Sequence, residues 1–333
     1  MAKGDTISVV IPTYNRCELL KKNLAAVAAQ TLDPSRIEVI VVNDGGTDDT
    51  DAMIESLDMP YRLKYVRIEH WTAIPYNVGA QNAENDFVLF LDDDVIPHPE
   101  MLGAHIETHN KLDGPTAVIG RLQWPAEKNL TPFESYVGWS GILMGTHLIK
   151  NPDNVHFKFA LGGNFSVPRE LFEKSGGYDI SYLKGGYGHI DIEFGYTLQK
   201  KFGVNLLYSE KAAADHWYCA PFERFMQQRE MAGATAVIFY TKYPEMSRYL
   251  KIDWVRRRGP WAWAVRNTLH CAYHTMRRAV PLLEKVHPRL RGTLYLCYRV
   301  CIFYHFQKGI KSYLAKVEKY GSDPFPDVFA DQD

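Results

Sequence analysis

The sequence predicts an α/β fold, a doubly wound and mostly parallel sheet with a C-terminal helical appendage. Three observations predict it. Hydrophobic periodicity alternates between strand and helix over the first hundred residues, a wholly apolar run at residues 87–91 ends in three adjacent carboxylates, and the charge balance changes sign near Arg248.

Residues 7–11 read as an apolar strand, after which Leu20, Leu24 and Val27 recur at helical spacing and residues 37–42 return to strand. Over residues 48–57, Met53, Ile54 and Leu57 share one helical face, and residues 63–68 alternate as a strand. Strands separated by helices imply parallel pairing through right-handed crossovers, with binding groups in the loops after the strands. Those loops are residues 12–16, 43–47 and 92–99. The run FVLFL at 87–91 has no polar position, as suits a strand covered on both faces. Residues 114–170 mix Trp, Gly, Pro and aromatics with weak periodicity and read as loops around a cleft. A further strand is expected at 205–209, preceded by a helix beginning near Ile192.

The chain has 333 residues, 46% hydrophobic and 23% charged, which excludes wholesale disorder. Its net charge of −1 hides an asymmetry. Residues 1–247 carry 22 Lys and Arg against 32 Asp and Glu, residues 248–319 carry 16 against 3, and the last 14 carry none against 4. A boundary is therefore expected at 247/248, separating a domain at 1–247 from a basic, aromatic-rich segment at 248–333. The five cysteines, 17, 219, 271, 297 and 301, are odd in number and form no CxxC pair, which favours a reducing compartment. Met1 to Thr6 is short, polar and followed by a strand, so a cytoplasmic protein without a secretory leader is expected.

The sharpest chemical signal is the corner Asp92, Asp93, Asp94. Asp92 and Asp94 point the same way from the end of a buried strand, and two such carboxylates repel at pH 7 unless a hard cation lies between them. The competing reading is a solvated acidic turn.

SVVIPTYNR at residues 8–16, VVNDGGTDDT at 41–50 and FLDDDVIPHP at 90–99 together resemble the family 2 glycosyltransferases. GGNFSVPRELFEKSGGYD at 162–179 and GGYGHIDIEFGYTLQKKFG at 185–203 are similar to that family's acceptor-side loop and base-bearing segment, so the likeness spans about residues 6–245. The resemblance implies a GT-A fold, a nucleotide-diphosphate sugar donor with a UDP-sugar expected, Mn2+ or Mg2+, and inversion at the anomeric carbon. It assigns Asp94 to the metal and Asp92 to the neighbourhood of the ribose. Asp44 receives the base, with Pro12, Thr13 and Tyr14 beside it, and Asn77, Asp93, Gly163 and Asn164 complete the donor side.

An acceptor hydroxyl must lose its proton as it attacks, and a positioned carboxylate can take it. The family's base maps onto Asp191, with Ile190 where a Glu usually precedes it and Glu193 as a second carboxylate. The other reading of Asp191 is a helix cap. His216 matches a position that supplies a third metal contact in some members, although a lone His is often structural. Trp139 and Trp217 are candidates for stacking on sugar, against the commoner core role. Tyr76 stands where the family often has Arg, and Arg67 or Arg121 could replace that cation.

In the basic segment, residues 261–283 and 293–314 mix aromatics with Arg, Lys and His, and neither offers about 18 uncharged apolar residues, so a spanning helix is disfavoured. Helices of this kind, with Arg256–Arg258 and Arg277–Arg278 on the polar side, suit an anionic leaflet. The alternative is an appendage that packs on the rest of the chain and shows its basic face to water. No nucleic-acid partner is expected, because no recognition motif accompanies the charge.

The expectation is an inverting glycosyltransferase at the cytosolic face of the cell membrane. It would move a sugar to a saccharide or lipid-linked acceptor in cell-envelope or exopolysaccharide synthesis. A polyprenyl-phosphate sugar synthase and a non-catalytic nucleotide-sugar-binding subunit remain as alternatives.

Overall fold

The structure is a computed structural model describing residues 3–184, 186, 188–287 and 289–322. Gly185 and Tyr187 of the GGYGHIDIE motif, and residues 323–333 of the acidic terminus, lie outside the described residues. The chain divides into two compact units. One runs to Lys128 and adds Ser140–Ile180 and Asp191–Tyr218; the other holds Asn129–Trp139, Ser181–Ile190 and the residues from Cys219 onward.

The first unit is built on one mixed sheet. In chain order its strands are β1 (Ile7–Thr13), β2 (Ile37–Asp44), β3 (Arg62–Ile68), β4 (Phe87–Leu91), β5 (Val95–Pro97), β6 (Thr116–Gln123), β7 (Asn164–Pro168) and β8 (Asn205–His216). The spatial order is β3-β2-β1-β4-β7-β6-β8-β5. The first four pair in parallel through α1 (Cys17–Ala28), α2 (Thr50–Glu55) and α3 (Pro75–Gln81), as the alternating periods require. All five residues of β4 are buried, each apolar side chain stabilising the sheet by about 1.5–3 kcal/mol.

Two antiparallel pairings then set the site. β7 runs against β4 with Asn164 opposite Leu91, which carries the preceding Gly162–Gly163 turn to the Asp92 corner. β5 pairs antiparallel with β8, putting His216 opposite Val95, one residue beyond Asp94.

Where the sequence reads as cleft loops, the structure has β6 and β7, because Ala117, Val118, Ile119 and Leu122 form a short apolar run that Gly120 interrupts. The β6–β8 register shifts at Gly120/Arg121, and β8 continues past residue 209 to His216. The helix expected near Ile192 is α7 (Ile190–Phe202). The remaining helices of this unit are α4 (Met101–His109) and α6 (Arg169–Ser175).

The second unit contains most of α5 (Pro132–Ser140), and α8 (Phe222–Lys242), α9 (Ile252–Arg256), α10 (Pro260–Lys285) and α11 (Arg291–Tyr320). Helices α8 and α11 approach closely at Gly309, where a Cβ would fall 1.9 Å from the Glu230 carbonyl oxygen. Tyr273 and Tyr304 stack at 4.0 Å to join α10 and α11. No described helix is long and apolar enough to cross a membrane.

Candidate active site

The acidic corner is held from behind by backbone contacts. Val95 N–H bonds the Asp92 carbonyl at 3.1 Å, and the buried Asn23 amide donates to the carbonyls of Asp92 and Val95 at 3.0 and 2.6 Å. This turn presents the three carboxylates differently. Asp93 faces inward, accepting from Thr13 Oγ1 at 2.9 Å and pairing with Arg16 at 2.9 Å. Asp94 takes the same Arg16 nitrogen at 2.8 Å through Oδ2. Asp92 accepts a short hydrogen bond from the Tyr76 hydroxyl.

Asp92, Asp94 and His216 each offer a ligand atom, and these atoms lie within 4.8 Å of one another. His216 Nε2 is 3.8 Å from Asp94 Oδ1, beyond hydrogen-bond range. Asp94 Oδ1 and His216 Nδ1 are buried without a hydrogen-bond partner. Buried polar atoms left this way are costly unless another group completes them, and two carboxylates with an imidazole form a donor set for a divalent cation. The residues therefore fit the metal that the resemblance implies.

Burial, followed by the charge of Asp94, pushes the Asp92 carboxyl above the usual range, while Tyr76 opposes the shift. Burial likewise raises Asp93, with Arg16 opposing. Burial depresses the Arg16 guanidinium, but Asp93 and Asp94 together more than offset it, and the net shift is upward.

Asp191 sits in the first turn of α7, where burial and then the charge of Asp92 raise its carboxyl to about 7, against a hydrogen bond from the Gly162 N–H. Gly162 and Gly163 are fixed by these neighbours. A Cβ on Gly162 would fall 2.9 Å from Asp191 Oδ1, and one on Gly163, at φ +94°, would fall 2.6 Å from Asp92 Oδ2. Glu193, two residues on and so on a different face of α7, is buried and accepts from Thr197 at 2.9 Å.

Two residues expected on the donor side face elsewhere. Asn77 closes a two-bond pair with the Tyr178 backbone, at 2.6 and 2.9 Å, and Asn164 bonds His105 and the Ala212 carbonyl in the core. Of the proposed replacement cations, Arg67 is paired with Asp51 at 2.7 Å, and Arg121 lies 3.6 Å from Glu210. Trp217 lies under Lys22, and its N–H bonds the Asp94 carbonyl; Trp139, in the second unit, is 66% exposed beside Tyr295.

Around Asp44 the structure supplies residues that sequence reasoning missed. His70 Nδ1 lies 2.8 Å from Asp44 Oδ2, Trp71 N–H reaches Oδ1 at 3.3 Å, and the half-exposed Tyr14 stacks on His70 at 4.2 Å. The loop after β3 was the available signal, since doubly wound sheets place ligands after each parallel strand. Arg16, which also lies 4.7 Å from the Tyr218 ring, had a signal in the last position of PTYNR.

The family model described as glycosyl transferase family 2 matches residues 8–176. The chain belongs to this family. This family 2 chain is 32% identical over 216 residues to validoxylamine A glucosyltransferase of Streptomyces hygroscopicus subsp. limoneus, covering 58% of this chain and 47% of that protein. It is 29% identical over 253 residues to a GalNAc(5)-diNAcBac-PP-undecaprenol beta-1,3-glucosyltransferase of Campylobacter jejuni, covering 74% of each. The chain spans about half the length of the curated relatives it matches first. Among solved structures, the mannosyltransferase PcManGT of Pyrobaculum calidifontis in complex with GDP-Man and Mn2+ superposes with TM-score 0.57 at 17% identity, covering 92% of this chain and 88% of that one. TarS 1-349 of S. aureus with UDP gives 0.51 at 16% identity, covering 93% and 91%. At these identities the likeness shows the fold, which is GT-A-like, as the sequence predicts.

Proposed function

We propose that this family 2 chain is a divalent-cation-dependent, inverting glycosyltransferase that moves a sugar from a nucleotide-diphosphate donor to a saccharide or lipid-linked acceptor. The observation carrying this reading is the convergence of Asp92, Asp94 and His216, with Asp191 turned toward the same corner through Gly162 and Gly163.

Asp92, Asp94 and His216 would hold the cation, Mn2+ suiting an imidazole ligand better than Mg2+. When bound, such an ion neutralises charge on the departing diphosphate. Asp191 accepts the acceptor's hydroxyl proton while that oxygen bonds to the anomeric carbon and the donor's C–O bond breaks toward the diphosphate. Its raised pKa makes it a competent base near neutral pH. Tyr76 orients Asp92, and Arg16 pairs with both Asp93 and Asp94, holding the two carboxylates in place. The cluster of Tyr14, Asp44, His70 and Trp71 receives the nucleobase.

The lipid-linked acceptor is favoured because two relatives with extended mutual coverage are named for such substrates, the Campylobacter protein above and a glucosyl-dolichyl phosphate glucuronosyltransferase of Haloferax volcanii. Residues 1–247 provide the transferase, and residues 248–333 attach it peripherally to an anionic membrane. Supporting that attachment, amphipathic α10 exposes Trp261 and Trp263 to solvent at 70% and 63%.

Transfer assays over a panel of nucleotide sugars test the reading, with Asp191→Asn as comparison. Loss of transfer in the variant with donor binding retained supports base catalysis. Undiminished transfer would point to a phosphate acceptor, which needs no base.

A further inference from the structure

In the second unit, the end of α9, the start of α10 and the last turns of α11 border a cavity of about 590 Å3 that is open to solvent on one side, lined by Arg256, Arg257, Arg258, Arg266 and Lys311 over Val255, Leu314 and Ala315. Glu318 is the one carboxylate in the lining. Arg256 donates to the Tyr240 hydroxyl at 2.6 Å, and Arg266 donates to the Arg257 carbonyl at 2.8 Å, so two guanidinium groups are already oriented. Trp254 packs edge-on to Phe303 and fixes α9 against α11. Among the described residues, none of the five cations takes part in an ion pair.

Five cations set around a single carboxylate leave a net positive charge, and such an arrangement persists most easily where a further anion completes it. Guanidinium groups match phosphate oxygens in a bidentate fashion. The apolar floor beside them suits a headgroup whose chain leaves toward the surface. We infer that this cavity is a binding site for a phosphoryl group, a monoester or diphosphate, carried by a lipid. The lipid source rests on the membrane reading above, because the exposed Trp261 and Trp263 open α10 beside the same arginines. The phosphoryl specificity of the cavity stands apart from it.

The test uses the full chain with vesicles of phosphatidylcholine containing either phosphatidylglycerol or phosphatidic acid, matched in surface charge, and with soluble glycerol phosphate followed by calorimetry. Variant R257A/K311A removes two lining cations, whereas R278A/K285A removes two exposed cations elsewhere on α10. The expected result is tighter binding to phosphatidic acid, a loss of roughly tenfold or more in R257A/K311A, and retention of the preference in R278A/K285A. Equal losses in both variants, or equally tight binding of single-stranded nucleic acid, would overturn the site while leaving membrane association standing. Binding of glycerol phosphate by the wild type that R257A/K311A loses, with no vesicle binding, supports the phosphoryl site and removes the membrane reading. No binding to any of these probes overturns both.

Discussion

His216 Nε2 stands 3.8 Å from Asp94 Oδ1, and the antiparallel β5–β8 pair sets that separation by placing His216 opposite Val95. The gap is too wide for a hydrogen bond and narrow enough for one cation to be shared. His216→Ala should lower Mn2+ affinity by about 10- to 100-fold with little change in the circular dichroism spectrum, since a ligand is lost but the strand pairing is kept. Titration by calorimetry or electron paramagnetic resonance reads the outcome.

Asp191 must be ionised to accept a proton, and its carboxyl is raised to about 7 by burial and then by Asp92. The groups facing it are Asp92, Tyr76 and Tyr178, with the Gly162 N–H opposing the shift. A bound cation beside Asp92 would lower the value. The rate of transfer should therefore climb with pH along an acidic limb ending at or below about 7, and Asp191→Asn should abolish that limb together with most of the activity.

The same shift has a stability sign. A carboxyl with a raised native pKa holds its proton in the folded state after the unfolded state has released it, so its ionisation weakens the fold as pH rises from about 4 through about 7. Asp191→Asn should thus raise the melting temperature at pH 8 and leave it nearly unchanged at pH 4. The gain is on the order of 1–3 kcal/mol. Calorimetric scans at the two pH values measure it.

Among the described residues, Arg16 alone pairs with both Asp93 and Asp94, and its side chain is about one-third exposed. Arg16→Gln leaves two buried carboxylates without their cation, at about 1–3 kcal/mol once solvent screening of the exposed side is allowed for. Mn2+ should then stabilise the variant more than the wild type, because it restores positive charge at Asp94. Melting temperatures with and without Mn2+ give the comparison.

Gly163 at φ +94° leaves no room for a Cβ beside Asp92 Oδ2. Gly163→Ala should cost about 1–3 kcal/mol in stability and displace Asp92, lowering turnover more than donor affinity. Chemical denaturation and steady-state kinetics separate the two effects.

Much of the sheet was legible because β1, β2 and β4 carry uninterrupted apolar runs that only a doubly covered strand explains. β6 and β7 were not, since Gly120 and the polar Asn164 and Ser166 break their patterns. The partners that justify those residues, the buried pair His105 and His109, lie some sixty residues away in sequence. The corner Asp92–Asp94 stands out in local sequence, whereas Asp191 is singled out only by the family resemblance, since an Asp at a helix start also reads as a cap. The engagement of Asn77 with Tyr178 could not, because it depends on a contact across 101 positions. The same holds for His70 against Asp44, which requires β2 and β3 to be in register.

The most direct test measures sugar transfer by wild type and Asp94→Ala, each after chelation and again after Mn2+ is restored. The account expects wild-type activity to vanish on chelation and return with Mn2+, and the variant to stay, with or without Mn2+, at least about a thousandfold below the Mn2+-restored wild type. Full transfer by Asp94→Ala in the presence of chelator would contradict it.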